Sequence, residues 1–251
     1  MTATTIEIRL LGDWGVRRHD GRLIDNHEWR TGKTRDLLRL LALDNGHAVR
    51  TPALIAKLWP DASPDRARAS LRTAASQIRH AMGVNCIERQ PGHLVLRGCW
   101  VDVGEFVSVH HQAQRAALRR DPYSVIALAE AGERLYRGDF HAYDDDSDWA
   151  SLQRSLLIDA RHQMLTDAAQ SSVELGQFRQ AIEFATLAIR ANPSSEGPHR
   201  SLMTAYAELG EVGSALRVFE SYRARLADEL GADPSPQATQ LHLSLLRGAV
   251  R

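Results

Sequence analysis

Residues 63–82, with the sequence SPDRARASLRTAASQIRHAM, decide how the first part of this chain folds. Ser63 and Pro64 form a typical helix start, because a serine oxygen can cap free N–H groups and proline already has a helical φ. Apolar residues then recur at spacings of three and four. This spacing predicts a helix with one buried stripe, formed by Leu71, Ala74, Ala75, Ile78 and Met82.

The opposite face of this helix is polar and basic. At about 100° per residue it carries Arg66, Ala69, Thr73, Ser76, Gln77 and His80, with Arg68, Arg72 and Arg79 along one flank. Thr and Gln side chains can contact base edges in a major groove while arginines hold phosphates. No Asp or Glu follows Asp65 in the helix. The pattern indicates a DNA-reading helix, but a solvated surface helix rich in arginine would carry the same pattern.

The segment before this helix predicts a small sheet and two further helices. Apolar residues alternate with polar ones at 6–10, and Asp20-Gly21 is a hairpin signal, so we expect an antiparallel sheet. A helix is predicted from about Thr31, with Gly46 as its stop. A second, short helix is predicted to begin at Thr51-Pro52 and to end at Pro60.

After Gly83 the apolar period changes to two, which predicts a β-hairpin with its tip at Pro91-Gly92. The order sheet, helix, helix, turn, helix, hairpin is that of a winged helix-turn-helix preceded by an N-terminal sheet. Arg89 and His93 flank the tip of the wing. Such side chains can enter a minor groove or meet a phosphate, or they can be ordinary exposed polar residues.

The distribution of charge supports a nucleic-acid partner for the first hundred residues. Residues 1–100 contain 16 Lys and Arg against 10 Asp and Glu, whereas residues 101–251 contain 15 against 21. A basic first part is expected of a DNA-binding domain, and an acidic second part is better suited to contacts with protein. We therefore expect residues 1–100 to suffice for sequence preference on DNA.

Length and composition favour a folded cytoplasmic protein of one or two domains. The 251 residues contain no apolar run long enough to span a membrane, and the first residues do not form a signal peptide. The two cysteines, Cys86 and Cys99, make neither a disulfide framework nor a zinc pattern. We expect both thiols to be small buried side chains, and we expect the protein to work at the nucleoid.

From about residue 104 the apolar period is helical throughout. Helices are predicted near 104–119, 122–137, 148–175, 178–191, 196–209, 212–229 and 236–247. Glu174-Leu175-Gly176 with Ala181 recurs as Glu208-Leu209-Gly210 with Ala215, an offset of 34 residues. This period is typical of tetratricopeptide helix pairs. The sequence thus predicts a mainly α protein with a winged helix-turn-helix domain at 1–100 and an all-α, tetratricopeptide-like domain at 101–251.

Motifs in both parts resemble one bacterial family. LIAKLWP at 54–60, ASLRTAASQIRHAMG at 69–83 and RQPGHLVL at 89–96 resemble the DNA-binding domain of OmpR/PhoB-type regulators, most closely as it occurs in SARP-type activators. VDVGEF at 101–106, LYRGDF at 135–140, RSLMTAY at 200–206 and RLADELGADPSP at 225–236 resemble the bacterial transcriptional activation domain of the same regulators. The two resemblances cover almost the whole chain.

The resemblance implies a function and a set of contacts. Thr73 and Gln77 would meet bases, and Arg72, Ser76 and Arg79 would meet the DNA backbone. SARP-type activators bind direct repeats in promoters as two or more protomers. They recruit RNA polymerase holoenzyme through its sigma factor and other subunits, often at gene clusters for secondary metabolites such as antibiotics.

The sequence does not predict catalysis, a cofactor or a metal. It contains no glycine-rich phosphate loop, nucleophile elbow or metalloprotease histidine pair. The consecutive Asp144-Asp145-Asp146 with Asp148 resembles a cation site but lacks the loop glycine and distant Glu of a calcium loop, so we expect a surface acidic loop. Two other hypotheses stay open: a tetratricopeptide-type adaptor with a basic scaffold, and a regulator whose DNA binding is gated by a small ligand or peptide.

Overall fold

The computed structural model describes residues 5–248, apart from the side chain of Asn26. The chain divides into two compact units. The first comprises the residues up to Val107 together with Arg134–Leu156, and the second comprises Ser108–Glu133 together with the residues from Leu157 onward. The strands are β1 (Ile6–Arg9), β2 (Gly15–Arg17), β3 (Ala48–Arg50), β4 (Ile87–Gln90), β5 (His93–Leu96) and β6 (Cys99–Val101). The helices are α1 (Gly32–Leu43), α2 (Thr51–Leu58), α3 (Pro64–Met82), α4 (Asp102–Leu118), α5 (Pro122–Leu135), α6 (Asp148–Glu174), α7 (Phe178–Ala191), α8 (Glu196–Glu208), α9 (Val212–Leu230) and α10 (Pro236–Leu246).

The N-terminal sheet has the order β2-β1-β6. Strands β1 and β2 are antiparallel, with Ile8 opposite Val16, as the alternation of apolar residues predicts. Strand β6 runs parallel to β1 and places Val101 opposite Ile8, which the sequence did not predict. The hairpin signal at Asp20-Gly21 produces only an isolated bridge, between Arg17 and Leu23.

Helices α1, α2 and α3 and the sheet β3-β5-β4 form the predicted winged helix-turn-helix. The predicted stripe of α3 is buried, and Ala67 and Ala81 extend it. The helix starts differ in detail from the prediction. Ser63 is the N-cap residue of α3 but its side chain makes no capping hydrogen bond, and Thr51 is the first residue of α2, whose cap is Arg50. Thr31 does cap α1, because its side chain accepts the N–H of Thr34.

Residues 134–156 return to the first unit and pack onto the N-terminal sheet and α1. Leu11 and Phe140 form a β-bridge, and the rings of Phe140 and Trp149 lie 6.1 Å apart, edge to face. The buried carboxylate of Asp36 in α1 accepts the backbone N–H groups of Tyr143 at 2.8 Å and Asp144 at 3.3 Å. The first compact unit thus includes residues beyond the domain boundary that we expect at residue 100. The division into domains at 1–100 and 101–251 stays a prediction.

A second carboxylate ties the sheet to α4. Asp102 is buried and accepts the backbone N–H groups of Leu10, Leu11 and Val103 at 2.8–3.0 Å. Burial raises the pKa of Asp102 above its ordinary value, and these three donors oppose that shift. The carboxylate thereby holds the end of β1 against the start of α4.

The helices of the second half begin and end within about two residues of their predicted bounds. The 34-residue sequence repeat corresponds to the same pair of backbone hydrogen bonds at the ends of α6 and α8. After α6, Gly176 N–H donates to Val173 and Gln177 N–H to Ser172, and after α8, Gly210 N–H donates to Ala207 and Glu211 N–H to Tyr206. Both glycines have φ near +75°, at +71° and +79°. These are left-handed helix ends of the Schellman type, which glycine adopts without a Cβ penalty.

A third turn of this type joins α4 to α5 and was not found from the sequence. Arg120 N–H donates to Ala117 and Asp121 N–H donates to Ala116, the same pattern of bonds as at the two glycine turns. Arg120 has φ +56° and occupies the place of the glycine. The repeated Leu-Gly pair does not reveal this turn, because an arginine stands at the left-handed position.

The acidic loop is held by basic side chains of the first unit. Asp145 pairs with Arg154 and lies 3.0 Å from His141 Nδ1, while Asp144 lies 3.3 Å from Lys33 Nζ. Across the described residues, no group of three or more His, Cys, Asp or Glu side chains is arranged to hold a metal ion. Within residues 5–248, no helix combines the length and apolarity needed to cross a membrane.

The thiols are only partly as expected, since Cys86 is buried and Cys99 is half-buried. Burial raises the pKa of Cys86 to about 11 and that of Cys99 to about 12. Both are therefore protonated and unreactive at neutral pH.

Candidate nucleic-acid interface

The polar face of α3 is available to a ligand. Arg66, Arg68, Arg72, Thr73 and Ser76 are exposed, as the helical periodicity predicts, while Gln77 and Arg79 are half-buried. Helix α3 carries four arginines and the single acid Asp65. Asp65 lies 3.3 Å from the guanidinium of Arg68, and both side chains are well exposed, so this pair is weak and easily exchanged for a phosphate.

The wing is the hairpin of β4 and β5, which places the two predicted wing residues next to its tip. Gln90 pairs with His93, and Gly92 has φ +72°, which the tight turn at Pro91-Gly92 requires. Arg89 is exposed. His93 is half-buried, and its Nδ1 lies 2.9 Å from the carbonyl oxygen of Pro91 within the turn.

A groove of about 410 Å³ lies between α3 and the wing. Four guanidinium groups line it, from Arg68, Arg72 and Arg79 on the helix and Arg89 on the wing. Among the described residues that line this groove there is no Asp or Glu. Four cations around one groove form a site for a polyanion, because arginine binds phosphate through paired N–H donors.

Arg79 has a structural contact in addition to the predicted one. Its Nε and Nη2 donate to the carbonyl oxygen of Ile87 at 3.1 and 2.8 Å. The guanidinium therefore holds the first strand of the wing against α3. Arg79 also lines the groove and has N–H donors beyond these two, so a phosphate contact remains a prediction.

Gln77 is also held by the protein. Its Oε1 accepts a hydrogen bond of 2.6 Å from the hydroxyl of Thr34, a buried residue in the first turn of α1. Thr34 Oγ1 in turn lies 2.9 Å from Thr31 Oγ1. The sequence did not identify Thr34 as part of the site, because nothing in the local pattern connects the first turn of α1 with α3.

A second concave surface of about 490 Å³ lies on the other side of α3. It is lined by Thr73, Ser76 and Gln77 and by the cationic or titratable residues Arg30, Arg72 and His80, together with Glu28. Arg30 is exposed and was not identified from the sequence. The predicted reading residues of α3 thus line a surface that also carries arginines, and Arg72 lines both this surface and the groove beside the wing.

The net charge of a whole unit does not explain this site. Counted over the compact units, the first contains 19 Lys and Arg against 17 Asp and Glu, and the second contains 12 against 14. The division at residue 100 exaggerates the asymmetry, because Asp102, Glu105 and the acidic loop belong to the first unit. The positive charge is instead concentrated along α3 and the wing.

Fold and site together define a winged-helix regulator with an appended helical-repeat unit. A family model described as "Bacterial transcriptional activator domain" matches residues 101–246, and the chain belongs to this family. This confirms the SARP-type resemblance drawn from the sequence.

Known relatives agree with this assignment. The chain is 30% identical over 253 residues to the transcriptional regulator RedD of Streptomyces coelicolor, covering 96% of this chain and 70% of RedD. It is 28% identical over 230 residues to the regulatory protein AfsR of the same species, where it spans 23% of the relative's length. The structure of Mycobacterium tuberculosis EmbR in complex with a low affinity phosphopeptide superposes with a TM-score of 0.80 at 25% identity, covering 98% of this chain and 66% of that chain.

Proposed function

We propose that this chain is a sequence-specific DNA-binding transcriptional activator. The observation that carries the proposal is the four-arginine groove between α3 and the wing, beside the exposed polar face of α3, in a member of the activator-domain family. A winged helix of this form inserts its last helix into the major groove and places its wing along the neighbouring backbone.

The nine predicted residues take two roles in this proposal. Thr73 and Gln77 read base edges. The other seven supply contacts to phosphate or sugar, or reach the minor groove from the wing: Arg66, Arg68, Arg72, Ser76, Arg79, Arg89 and His93. Arg30 joins them as an eighth candidate, because it lines the concave surface beside Thr73 and Gln77.

The partners proposed for the whole chain are promoter DNA and RNA polymerase holoenzyme, including its sigma factor. Protomers would bind side by side on direct repeats, at the nucleoid in the cytoplasm, and the target would be a biosynthetic gene cluster. The regulator names of RedD and AfsR and the helical repeats of the second unit support this proposal.

A binding experiment with three variants tests the reading roles. Gln77→Ala should relax base preference at one position and cost about 1–3 kcal/mol on the preferred site. Arg72→Ala should weaken binding to all sequences alike and lower the salt slope by about one unit, since one phosphate contact and its released counterions are lost. Arg190→Ala, which removes an exposed arginine of α7 in the second unit, is the matched control and should change neither quantity.

The measurement is the affinity for a randomised DNA library and for its selected site at several salt concentrations. Equal base-preference profiles for wild type and Gln77→Ala would contradict the reading role. Absence of any salt-dependent DNA binding by the wild type would favour the adaptor hypothesis instead, because a protein that does not bind DNA releases none of the counterions condensed on it.

Recruitment of polymerase has its own test. At matched promoter occupancy, the wild-type chain should stimulate transcription by purified polymerase. Arg72→Ala should stimulate transcription equally at the same occupancy, because its defect is confined to DNA affinity. Full occupancy by the wild type without stimulation would show that the chain binds DNA without activating transcription.

A further inference from the structure

The hydrogen bond between Thr34 and Gln77 has a consequence for which bases can be read. We propose that Thr34 locks the amide of Gln77 with its carbonyl oxygen turned inward, so that Gln77 presents N–H donors to DNA and reads an acceptor edge. The proposal rests on the proposed function and names the base chemistry that this one residue would select. Thr34 is a positioning residue here, since it reaches DNA only through Gln77.

The distance identifies which amide atom faces Thr34. An O–H···O bond is typically 2.5–3.0 Å long, whereas N–H···O bonds lie between about 2.7 and 3.2 Å. The contact with Thr34 Oγ1 is 2.6 Å, which fits the oxygen Oε1 and is too short for the nitrogen Nε2. The inward atom is therefore the carbonyl oxygen.

The hydroxyls of Thr31 and Thr34 form hydrogen bonds that are compatible with an inward carbonyl oxygen. Thr34 has one hydroxyl proton, and its donation to Gln77 leaves Thr34 Oγ1 free to accept from Thr31 Oγ1 at 2.9 Å. Thr31 Oγ1 keeps a lone pair for the backbone N–H of Thr34, at 3.1 Å, as the cap of α1. With the carbonyl oxygen of Gln77 turned inward, each hydroxyl donates once and accepts once in this chain of bonds.

Burial makes the orientation stable. Thr34 is 1% exposed, so its hydroxyl has no solvent partner to replace Gln77. Gln77 is half-buried and faces the concave surface beside α3. Turning the amide over would place Nε2 at 2.6 Å from Thr34 Oγ1, which is shorter than the usual range of N–H···O bonds.

The consequence follows from the geometry of an amide. Reading adenine through two bonds needs both amide atoms on the base: Oε1 accepting from N6 and Nε2 donating to N7. With Oε1 turned toward Thr34, only the Nε2 donors remain. These suit the N7 and O6 acceptors of guanine, the O4 of thymine or the single N7 acceptor of adenine, and they find only a donor on cytosine. At the position read by Gln77 we therefore expect guanine or thymine to bind about 5- to 150-fold more tightly than cytosine, without a two-bond preference for adenine.

Three variants of the full chain isolate the hydroxyl. Thr34→Val has the same shape but no hydroxyl, so the amide can turn over, and adenine should gain at this one position while the salt slope stays unchanged. Thr34→Ser keeps the hydroxyl and should restore the wild-type profile. Ser70→Ala removes a half-buried hydroxyl of α3 and is the matched control, with no change in profile.

Base-preference profiles on a randomised library measure these effects. A wild-type preference for cytosine, or identical profiles for wild type and Thr34→Val, would overturn the proposal. In a Gln77→Ala background Thr34→Val should have no effect on the profile, and an effect there would show that Thr34 acts by another route. If Thr34→Val unfolds, Thr34→Ala replaces it with the same expectation.

A measurement on the free protein separates this proposal from the proposed function. The NMR resonance of the Gln77 side-chain carbonyl carbon, assigned by its loss in Gln77→Ala, should shift in Thr34→Val and not in Thr34→Ser. Loss of all DNA binding with this shift present would refute the proposed function and with it the base preference, but leave the locked amide intact. An unchanged resonance in Thr34→Val would refute the lock itself.

Discussion

The side chain of Arg79 both holds the wing and lines the groove beside α3. Its guanidinium donates two hydrogen bonds to the carbonyl oxygen of Ile87, and it also lines the groove that we propose for phosphate. Arg72, two helical turns earlier on the same flank, is exposed and lines the same groove. The two arginines therefore allow stability and DNA affinity to be separated by substitution.

Arg79→Ala should lower the free energy of unfolding of the first unit by about 1.5 kcal/mol or more, because a charged hydrogen-bond donor to the wing is lost. Arg72→Ala should change it by less than about 0.5 kcal/mol, as expected for an exposed side chain. All five tryptophans, Trp14, Trp29, Trp59, Trp100 and Trp149, belong to the first unit, so tryptophan fluorescence in urea measures this unit selectively. Equal urea midpoints for the two variants would show that the bonds to Ile87 do not stabilise the wing.

His199 makes the stability of the second unit depend on pH. It is buried and its ring stacks on Tyr222 at a centroid distance of 4.4 Å. Burial lowers the pKa of His199 below its ordinary value of 6.5, although the carbonyl oxygen of Ser195 near Nδ1 opposes the shift. The unfolded chain therefore binds a proton more readily than the folded one, and stability is lost as the pH falls below 6.5.

His199→Phe keeps a ring against Tyr222 and cannot titrate. Its urea midpoint, followed by far-ultraviolet circular dichroism, should fall less than that of the wild type between about pH 7 and pH 5. His110 of the same unit also has a lowered pKa, through burial and His111, so a smaller dependence should remain. Parallel curves for variant and wild type would exclude His199 as a source of the pH dependence.

At the scale of elements, one turn geometry occurs at three places in the described part of the second unit. Gly176, Gly210 and Arg120 each hold a left-handed φ and each close the preceding helix with the same pair of bonds. A Cβ added at Gly176 or Gly210 would meet no atom within 4 Å, so the requirement there is backbone conformation and not space. Of these three residues only Arg120 has a side chain, so only Arg120 is strained by the left-handed conformation.

Substitutions at Gly176 and Arg120 should therefore have opposite signs. Gly176→Ala should destabilise the second unit by about 1 kcal/mol, because an L-residue is strained at positive φ. Arg120→Gly should be neutral to stabilising, by up to about 1 kcal/mol, since relief of that strain is partly offset by the greater freedom of glycine in the unfolded chain. Thermal unfolding of the full chain by circular dichroism measures both, and destabilisation by Arg120→Gly would refute the strained-turn interpretation.

At the scale of the whole molecule, the unit that we propose to bind DNA is not one continuous stretch of chain. Asp36 accepts backbone N–H groups from residues 107 and 108 positions later, and Asp102 accepts from residues 91 and 92 positions earlier. Phe106 and Phe140 are fully buried in the same unit. A chain cut after residue 100 would lose all of these contacts and leave the buried N–H groups of Leu10 and Leu11, just after β1, without their acceptor.

This changes the expectation that residues 1–100 suffice for DNA recognition. A fragment of residues 1–100 should fail to unfold cooperatively, because it lacks Asp102 and the apolar residues of 134–156. A fragment of residues 1–156 contains every residue of the first unit and should keep a cooperative transition in tryptophan fluorescence. A cooperative transition in the shorter fragment, with a midpoint equal to that of the longer one, would show that residues 134–156 are dispensable.

Local pattern was enough for the features that depend on near neighbours. The buried stripe of α3, the tip of the wing at Pro91-Gly92 and the bounds of α4–α10 follow from periodicity and turn residues, so they were predicted from the sequence. These features involve residues a few positions apart, whose spacing along the chain directly determines which face they share. The reading roles of Thr73 and Gln77 also came from this pattern, and they stay predictions.

Only the tertiary structure decided the features that join distant segments. The bond from Thr34 to Gln77 spans 43 positions, the parallel pairing of β1 with β6 spans more than 90, and residues 134–156 join a unit whose other part ends at Val107. Such contacts leave no periodic signal, because each partner looks locally like any other polar or apolar residue. The sequence by itself therefore determined the elements and their exposed faces. Folding in three dimensions determined which buried groups hold those faces in place.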